Sequence, residues 1–220
     1  FATEVNNGRN FSGKYVKLTA DINVTQDNLV GCMYDFTRRS FDGHFDGGGN
    51  TINCQISAND DRVAPFRYAD NATFKDLTLT GSVTITGEDH KNLGGIVAYA
   101  TGNTTFTNCK VSTTLTASAG VDAGGFVGAA EKAKFKNCTL NGKLQGNADY
   151  CGGFVGYLSG YGNVLNNCLF IPSEMQISAN HCYTFAHQFE DYTTFTNCYY
   201  THAFGTVQGL RVITTEPTQG

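Results

Sequence analysis

The sequence predicts an all-β fold, a single-stranded right-handed parallel β-helix (solenoid) of about six or seven coils with an N-terminal cap. Two repeated motifs and the residues between them lead to this prediction. A Phe/Leu-x-Asn-Cys motif and a Gly-Gly-apolar-Val motif each recur at intervals of about 30 residues and alternate along the chain. Between them lie short runs of Thr, Val and Phe bounded by Gly and Asn, which are typical of strands.

The first motif supplies an apolar residue, a bend and a small buried residue. Its cysteines, Cys109, Cys138, Cys168 and Cys198, are separated by 29, 30 and 30 residues. The motif's first residues are Phe106, Phe135, Leu165 and Phe195. Simple strand alternation would place the Phe and the Cys on opposite faces. Both point inward if the intervening Asn bends the chain in a left-handed conformation, which Asn tolerates well. We therefore expect two inward columns and, between them, a buried ladder of Asn108, Asn137, Asn167 and Asn197.

The second motif begins at Gly94, Gly124 and Gly152, with steps of 30 and 28 residues. A pair of glycines permits a tight turn into the next strand. A phosphate-binding loop is excluded, because neither Gly-Lys-Ser/Thr nor a following helical pattern is present.

A unit of this length limits the possible architectures. Helical repeats need a 3.6-residue apolar period, and a propeller blade needs about 40–45 residues. Three short strands per unit fit better, and stacking the units in parallel at about 4.8 Å completes their hydrogen bonds and core. We predict one domain over 1–220, with the cap and first coils in 1–56, repeat coils in 57–204 and a C-terminal strand or linker in 205–220.

The repeats resemble the GLUG motif of bacterial secreted and surface proteins, which also occurs in the non-catalytic β-helical part of bacterial IgA-specific metallo-endopeptidases. GKYVKLTADINV (13–24) and FDGHFDGGGNTINCQI (41–56) resemble the first coils of that family. The resemblance covers about 1–209, and the Gly pair is absent at 63–66 and 182–185. It implies a right-handed parallel β-helix and an extracellular location, and it implies no reaction.

Charge and hydropathy argue against a nucleic-acid partner and against a membrane-spanning helix. The net charge is -4, and the longest Lys/Arg run is Arg38-Arg39. A nucleic-acid interface needs a clustered basic face, so we expect no nucleic-acid partner. No apolar stretch approaches the length of a membrane-spanning helix.

Eight cysteines in a chain that the resemblance implies is exported leave two interpretations open. The repeated cysteines would stack as buried free thiols, because side chains of parallel rungs point the same way and suit a disulfide dihedral poorly. Cys151 and Cys182 each precede a strand Phe by three residues, and they are the best candidates for a disulfide. Cys32 has no evident partner. A zinc site is not expected, since no paired Cys spacing occurs.

Catalytic motifs are absent from the sequence. The acidic pairs Asp60-Asp61, Glu88-Asp89 and Glu190-Asp191 fall in predicted loops, where solvated turns explain them. Neither His-Glu-x-x-His nor Gly-x-Ser-x-Gly occurs. Asp42 and Asp46 fit a turn better than a calcium site, which would need a repeated nonapeptide. We therefore predict no enzyme activity and no catalytic, cofactor or metal residue.

Binding remains as the predicted role. Tyr99, Tyr157 and Tyr161 lie in or beside variable loops that stacking would bring to one edge, and Tyr provides contact area at low entropic cost. They are the predicted ligand-binding residues, for a glycan or a host or cell-surface protein. The sequence thus favours a non-catalytic module of a larger bacterial surface or secreted protein, serving adhesion, ligand display or spacing. The alternative is a polysaccharide-active lyase or glycoside hydrolase, which convergent acidic side chains in a lateral groove would favour.

Overall fold

The structure is a computed structural model that describes residues 1–87, 91–187 and 193–212. These residues form a parallel β-helix of about six turns, as predicted. Because the chain returns to the same three faces in each turn, its strands stack into long parallel sheets.

The elements are short and follow one another closely. In the described part of the chain, α-helix α1 covers Ala2–Asn6 and a 3-10 turn covers Gln26–Asn28. The strands of the first part are β1 Tyr15–Lys17, β2 Ile22–Thr25, β3 Cys32–Tyr34, β4 Thr37–Arg39, β5 His44–Asp46, β6 Thr51–Ala58, β7 Arg62–Val63, β8 Phe66–Asp70, β9 Thr73–Lys75 and β10 Thr78–Ile85. Those of the middle part are β11 Lys91–Gly94, β12 Val97–Thr101, β13 Thr104–Thr107, β14 Lys110–Val111, β15 Thr114–Ala117, β16 Val121–Gly124, β17 Val127–Ala130, β18 Ala133–Lys136 and β19 Thr139–Leu140. Those of the last part are β20 Lys143–Gly152, β21 Val155–Leu158, β22 Asn163–Asn166, β23 Leu169–Phe170, β24 Glu174–Tyr183, β25 Thr193–Thr196, β26 Tyr199–Tyr200 and β27 Leu210–Arg211.

Three parallel sheets form the faces of the solenoid. The first contains seven strands in the order β1-β5-β9-β13-β18-β22-β25. The second contains fourteen strands, from β2 to β27, and wraps around a wide side of each turn. The third contains four strands in the order β8-β12-β17-β21. A separate antiparallel hairpin, β3–β4, stands outside these sheets.

The interior is built from the predicted columns. Phe106 pairs with Phe135, Phe135 with Leu165, and Leu165 with Phe195 in the first sheet. The Phe106 and Phe135 rings stack at 4.8 Å, with 8° between their planes. The repeated cysteines are buried with them in the same core. Parallel stacking therefore repeats one side chain above another, and both predicted inward columns are confirmed.

The Asn ladder is also confirmed, although it is not buried as expected. Asn108, Asn137, Asn167 and Asn197 have φ values of 53, 54, 52 and 49°. The Nδ2 atoms of Asn137, Asn167 and Asn197 each donate to the Oδ1 of the Asn in the preceding turn, at 3.0–3.2 Å. Asn108 itself donates to Asp76, 2.9 Å away. The four side chains are exposed, because the bend turns them outward while the following cysteine turns inward.

Replacing Asn137 with Ala should lower the free energy of unfolding by about 1–2 kcal/mol, because Ala resists the left-handed backbone and breaks the ladder. Asn137→Gly is the matched control, since it accepts the same φ but makes no ladder bond. Urea denaturation should place Asn137→Gly between the wild type and Asn137→Ala. Equal midpoints for all three proteins would contradict the ladder's role in stability.

All eight cysteines are free thiols in the structure. Cys151 and Cys182 do occupy paired positions on neighbouring strands, as expected for adjacent coils, but no bond joins them. Burial raises the pKa of Cys138 and of Cys151 well above the usual value for a thiol. Cys138 and Cys151 are therefore protonated at neutral pH, whereas a hydrogen bond with Cys168 lowers the pKa of Cys198 to about 7.

Candidate functional site

The Gly-Gly motif makes a sharp bend between the second and third sheets. None of the six glycines in Gly94-Gly95, Gly124-Gly125 and Gly152-Gly153 has a positive φ. Glycine is required at these positions because a side chain would overlap neighbouring atoms. A Cβ on Gly124 would overlap the carbonyl oxygen of Val127 across the bend, and one on Gly125 would overlap the carbonyl oxygen of Gly153 in the next turn. The bend can close and stack only when both positions lack side chains.

Two outward columns flank this bend, and we call them together the bend surface. The column before the bend contains Arg62, Asn92, Asp122, Tyr150 and His181 in register. The column after it contains Tyr68, Tyr99, Ala129 and Tyr157. Adjacent rungs are about 4.8 Å apart, so Tyr99 and Tyr157, two rungs apart, are separated by about 10 Å along the solenoid.

Arginines surround the Tyr99 end of the bend surface. The guanidinium carbons of Arg38 and Arg62 each lie 5.2 Å from the Tyr99 ring centre. This is within the range of a cation–π interaction, which holds the ring in a fixed position. Arg38 also donates to the Thr101 hydroxyl at 3.3 Å. Tyr99 is thus a half-buried ring with two cations close to it.

A cluster of aromatic rings occupies the other end. Tyr157 stacks on His187 at 4.9 Å, with 11° between the rings, and Tyr150 stacks on His181 at 4.6 Å. Tyr150 also meets the His187 ring edge-on at 4.5 Å. Burial, with a smaller contribution from the charge of His181, lowers the pKa of His187 to about 4. His187 is therefore neutral at physiological pH and acts as an aromatic ring.

Small and amide groups lie between the two ends. Asn92 donates to the Asp122 carboxylate at 2.9 Å across adjacent rungs. Asn92 is only 3% exposed, and among the described residues its Oδ1 accepts no hydrogen bond. Ala129, between the two tyrosines, projects no ring. The arrangement offers partly exposed rings at two points and the Asp122 carboxylate between them.

Tyr161, the third predicted residue, lies apart from Tyr99 and Tyr157. It is 68% exposed and lines a separate shallow cavity of about 340 Å³ with Asn71, Asn103, Glu131 and Lys132. The structure therefore brings Tyr99 and Tyr157 into one column and places Tyr161 beyond the end of strand β21, near the next corner.

The acidic residues considered for catalysis are dispersed. Asp60 and Asp61 line a cavity of about 160 Å³ with Arg62 and Arg67, and Asp60 is ion-paired with Arg67 at 3.2 Å. Within 1–87, 91–187 and 193–212, no three His, Cys, Asp or Glu side chains converge as metal ligands would. The pairs Glu88-Asp89 and Glu190-Asp191 lie outside the described residues.

The two aspartates weighed for calcium have structural partners. Asp46 is ion-paired with Lys75 at 2.9 Å, and that contact lowers the pKa of its carboxyl. Asp42 accepts hydrogen bonds from Ser40 and Asn10, at 2.8 and 2.7 Å. Both side chains therefore tie the first coils together.

Comparisons with known proteins agree with this geometry. Residues 89–116 match the family model of the GLUG motif. The chain contains a GLUG motif. Its described part, from Lys91, spans about one turn of the solenoid, including the Gly94-Gly95 bend and the Asn108 corner. The GLUG motif is thus the sequence of one coil, and its glycines are the ones for which the bend leaves no side-chain space.

One solved structure supports the architecture. A crystal structure of a "putative immunoglobulin A1 protease" from Bacteroides ovatus matches with a TM-score of 0.58 and 16% identity, over 96% of this chain and 82% of that one. At this identity the likeness shows the fold. No curated protein sequence matches the chain. Among the described residues, no helix has the length and apolar character needed to cross a membrane.

Sequence reasoning missed most of the bend surface. Tyr150, His181 and Asn92 lie outside the repeated motifs, and only the strand register shows that they share a column. A usable signal was present, because each lies two residues before the first residue of a Gly pair or of its degenerate equivalent.

Proposed function

We propose that this chain is an exported, non-catalytic binding module whose bend surface binds a glycan or a protein of a cell surface. The observation that carries the proposal is the position of Tyr99 and Tyr157 two rungs apart in one outward column, with the Asp122 carboxylate in the neighbouring column. Half-exposed, immobilised Tyr rings offer contact area at little entropic cost. A spacing of about 10 Å suits an extended ligand that contacts two rings at once.

Export is the second part of the proposal. It rests on the GLUG motif, which is found in bacterial secreted and surface proteins, and on the structural likeness to a protein described as an IgA1 protease. We further propose that the module belongs to a larger protein, in which it presents the bend surface or spaces other domains. A rigid solenoid suits both tasks, because each coil is held by its neighbours on either side.

For the alternative, a polysaccharide-active enzyme, Asp60-Asp61 is the acidic pair that lies within the described residues. Glycoside hydrolysis needs one carboxylic acid and one carboxylate facing each other across the substrate. Here Asp60 is neutralised by Arg67, and the cavity beside it is small. The binding role is therefore the better supported of the two.

Removing the ring of Tyr99 or of Tyr157 should weaken ligand binding by at least about tenfold, since a lost aromatic contact costs about 1.5 kcal/mol or more. A glycan and cell-surface protein array would first identify the ligand. Titration calorimetry would then compare Tyr99→Ala and Tyr157→Ala with the wild type. Tyr15→Ala is the matched control, because Tyr15 is a 78% exposed ring on the first sheet.

Two outcomes would contradict the proposal. One is an array without a reproducible ligand. The other is a ligand whose affinity is unchanged by both bend-surface variants while their melting temperatures remain normal. Tyr161→Ala tests whether the separate corner takes part, since it should leave the affinity unchanged if the ligand lies along the bend alone.

A further inference from the structure

The β3–β4 hairpin is fixed firmly at its base. Gly31, just before β3, donates its N–H to Asn6 Oδ1 at 2.8 Å and accepts from Arg67 Nε at 2.6 Å. Arg39, at the end of β4, donates to the Asn6 carbonyl oxygen, and Arg38 donates to Thr101. Helix α1 and the solenoid wall thus hold the hairpin from both sides, and its tip projects in a fixed direction.

The tip of the hairpin carries an unfavourable residue. Asp35 and Phe36 form its two-residue turn with φ values of 46 and 59°, a geometry that favours Asn or Asp followed by Gly. A bulky residue at positive φ is strained. Phe36 is also 98% exposed, so no internal packing offsets the strain. Met33 and Tyr34 beside it are 53% and 61% exposed. The isolated chain would be more stable with Gly at this position, which suggests that the ring serves an external contact.

An apolar cavity lies beside the base of the hairpin. Its volume is about 320 Å³, and its walls include Phe1, Ile22, Val24, Val30, Phe45 and Phe66. Its lining residues belong to the start of the chain and to the first coils, so the cavity lies at the α1 end of the solenoid core. Val30 immediately precedes Gly31, from which the hairpin leaves the body. Lys17 stands among the lining residues and is exposed.

We infer that two molecules of this chain associate through these features, with Phe36 of each entering the end cavity of the other. The ring and the cavity are both apolar. Asp35 beside the ring and Lys17 beside the cavity carry opposite charges and would attract each other across the contact. Because the base of the hairpin and the cavity both lie in the first coils, a two-fold axis can satisfy both contacts at once. The hairpin, held rigid at its base, loses little entropy on insertion.

A membrane surface fits the tip less well. Asp35 stands next to Phe36 in the turn, so inserting the ring would carry a carboxylate toward the lipid. One fully exposed ring would also supply only about 1.5–3 kcal/mol of apolar burial, too little for stable anchoring.

Sedimentation velocity over a concentration series tests the inference. The wild type should shift from monomer to dimer as concentration rises. Phe36→Gly should remain monomeric at the same concentrations, while its Tm rises by about 2–4 °C because the turn strain is relieved. Ile22→Lys, at a 38% exposed position of the cavity wall, should also remain monomeric. Tyr161→Gly, which removes a ring that is 68% exposed elsewhere, should dimerise normally.

Mixing the two monomeric variants gives the sharpest readout. Phe36→Gly keeps an intact cavity and Ile22→Lys keeps an intact ring, so the mixture should form a heterodimer with one of the two contacts. A wild type that stays monomeric throughout would overturn the inference. So would dimerisation unaffected by both variants, or Phe36-dependent binding to anionic lipid vesicles without self-association.

Discussion

Replacing Phe135 with Ala should lower the free energy of unfolding by about 3–5 kcal/mol, the range for deleting a fully buried Phe. Phe135 is 1% exposed and stacks on Phe106 in the turn below. Its ring also meets Phe126 and Phe154 edge-on, at 5.6 and 5.5 Å. The parallel strands fix the backbone on both sides, so the wall cannot collapse into the space left by the ring.

Urea denaturation followed by circular dichroism would measure this loss. Phe135→Leu is the matched control, because Leu165 already occupies the same column one turn later, and it should cost clearly less. Tyr161→Ala, at an exposed position, should change stability by no more than about 0.5 kcal/mol. If Phe135→Ala destabilised the protein no more than Tyr161→Ala, the inward column would be incorrect.

The second large effect is expected at Gly125. A Cβ there would overlap both the Leu140 side chain and the carbonyl oxygen of Gly153. Leu140 can rotate, but the Gly153 carbonyl belongs to the backbone of the next turn and cannot move alone. Gly125→Ala should therefore destabilise the protein by about 3 kcal/mol, at the upper end for overpacked sites.

A second glycine separates steric overlap from backbone strain. Gly13 has a φ of 65°, and no atom lies within 4 Å of the position that a Cβ would occupy, so Gly13→Ala tests strain without overlap. It should cost about 1–2 kcal/mol. Thermal melts of both variants should show the larger loss for Gly125→Ala. The reverse order would show that the Gly-Gly motif serves something other than close stacking.

The repeats account for what the sequence predicted correctly. In a solenoid, equal spacing places equivalent residues in one column, so the stacks of Phe135 and Cys138 follow from the period alone. The Asn137 bend follows from the need to turn both Phe135 and Cys138 inward. The exposure of the Asn137 side chain could not be predicted in this way, because neither the repeat period nor strand alternation determines on which side of a corner the carboxamide lies.

The features outside the repeats could not be predicted in the same way. The β3–β4 hairpin occurs once, and nothing in a period reports a single insertion. Tyr161 follows a glycine in a loop, so its position depends on how that corner turns rather than on strand register. Tyr150 and His181 meet because β20 and β24 continue without a break to the bend, and their lengths were not visible in the motif spacing.

Incubating the protein with its identified ligand and following product by mass spectrometry tests the central claim most directly. The account predicts saturable binding that depends on Tyr99 and Tyr157. It also predicts that the ligand is recovered intact after an incubation many times longer than the lifetime of the complex, with or without calcium or zinc. Product that accumulates beyond one equivalent, and that disappears in Asp60→Asn or Asp61→Asn, would contradict it and identify an enzyme.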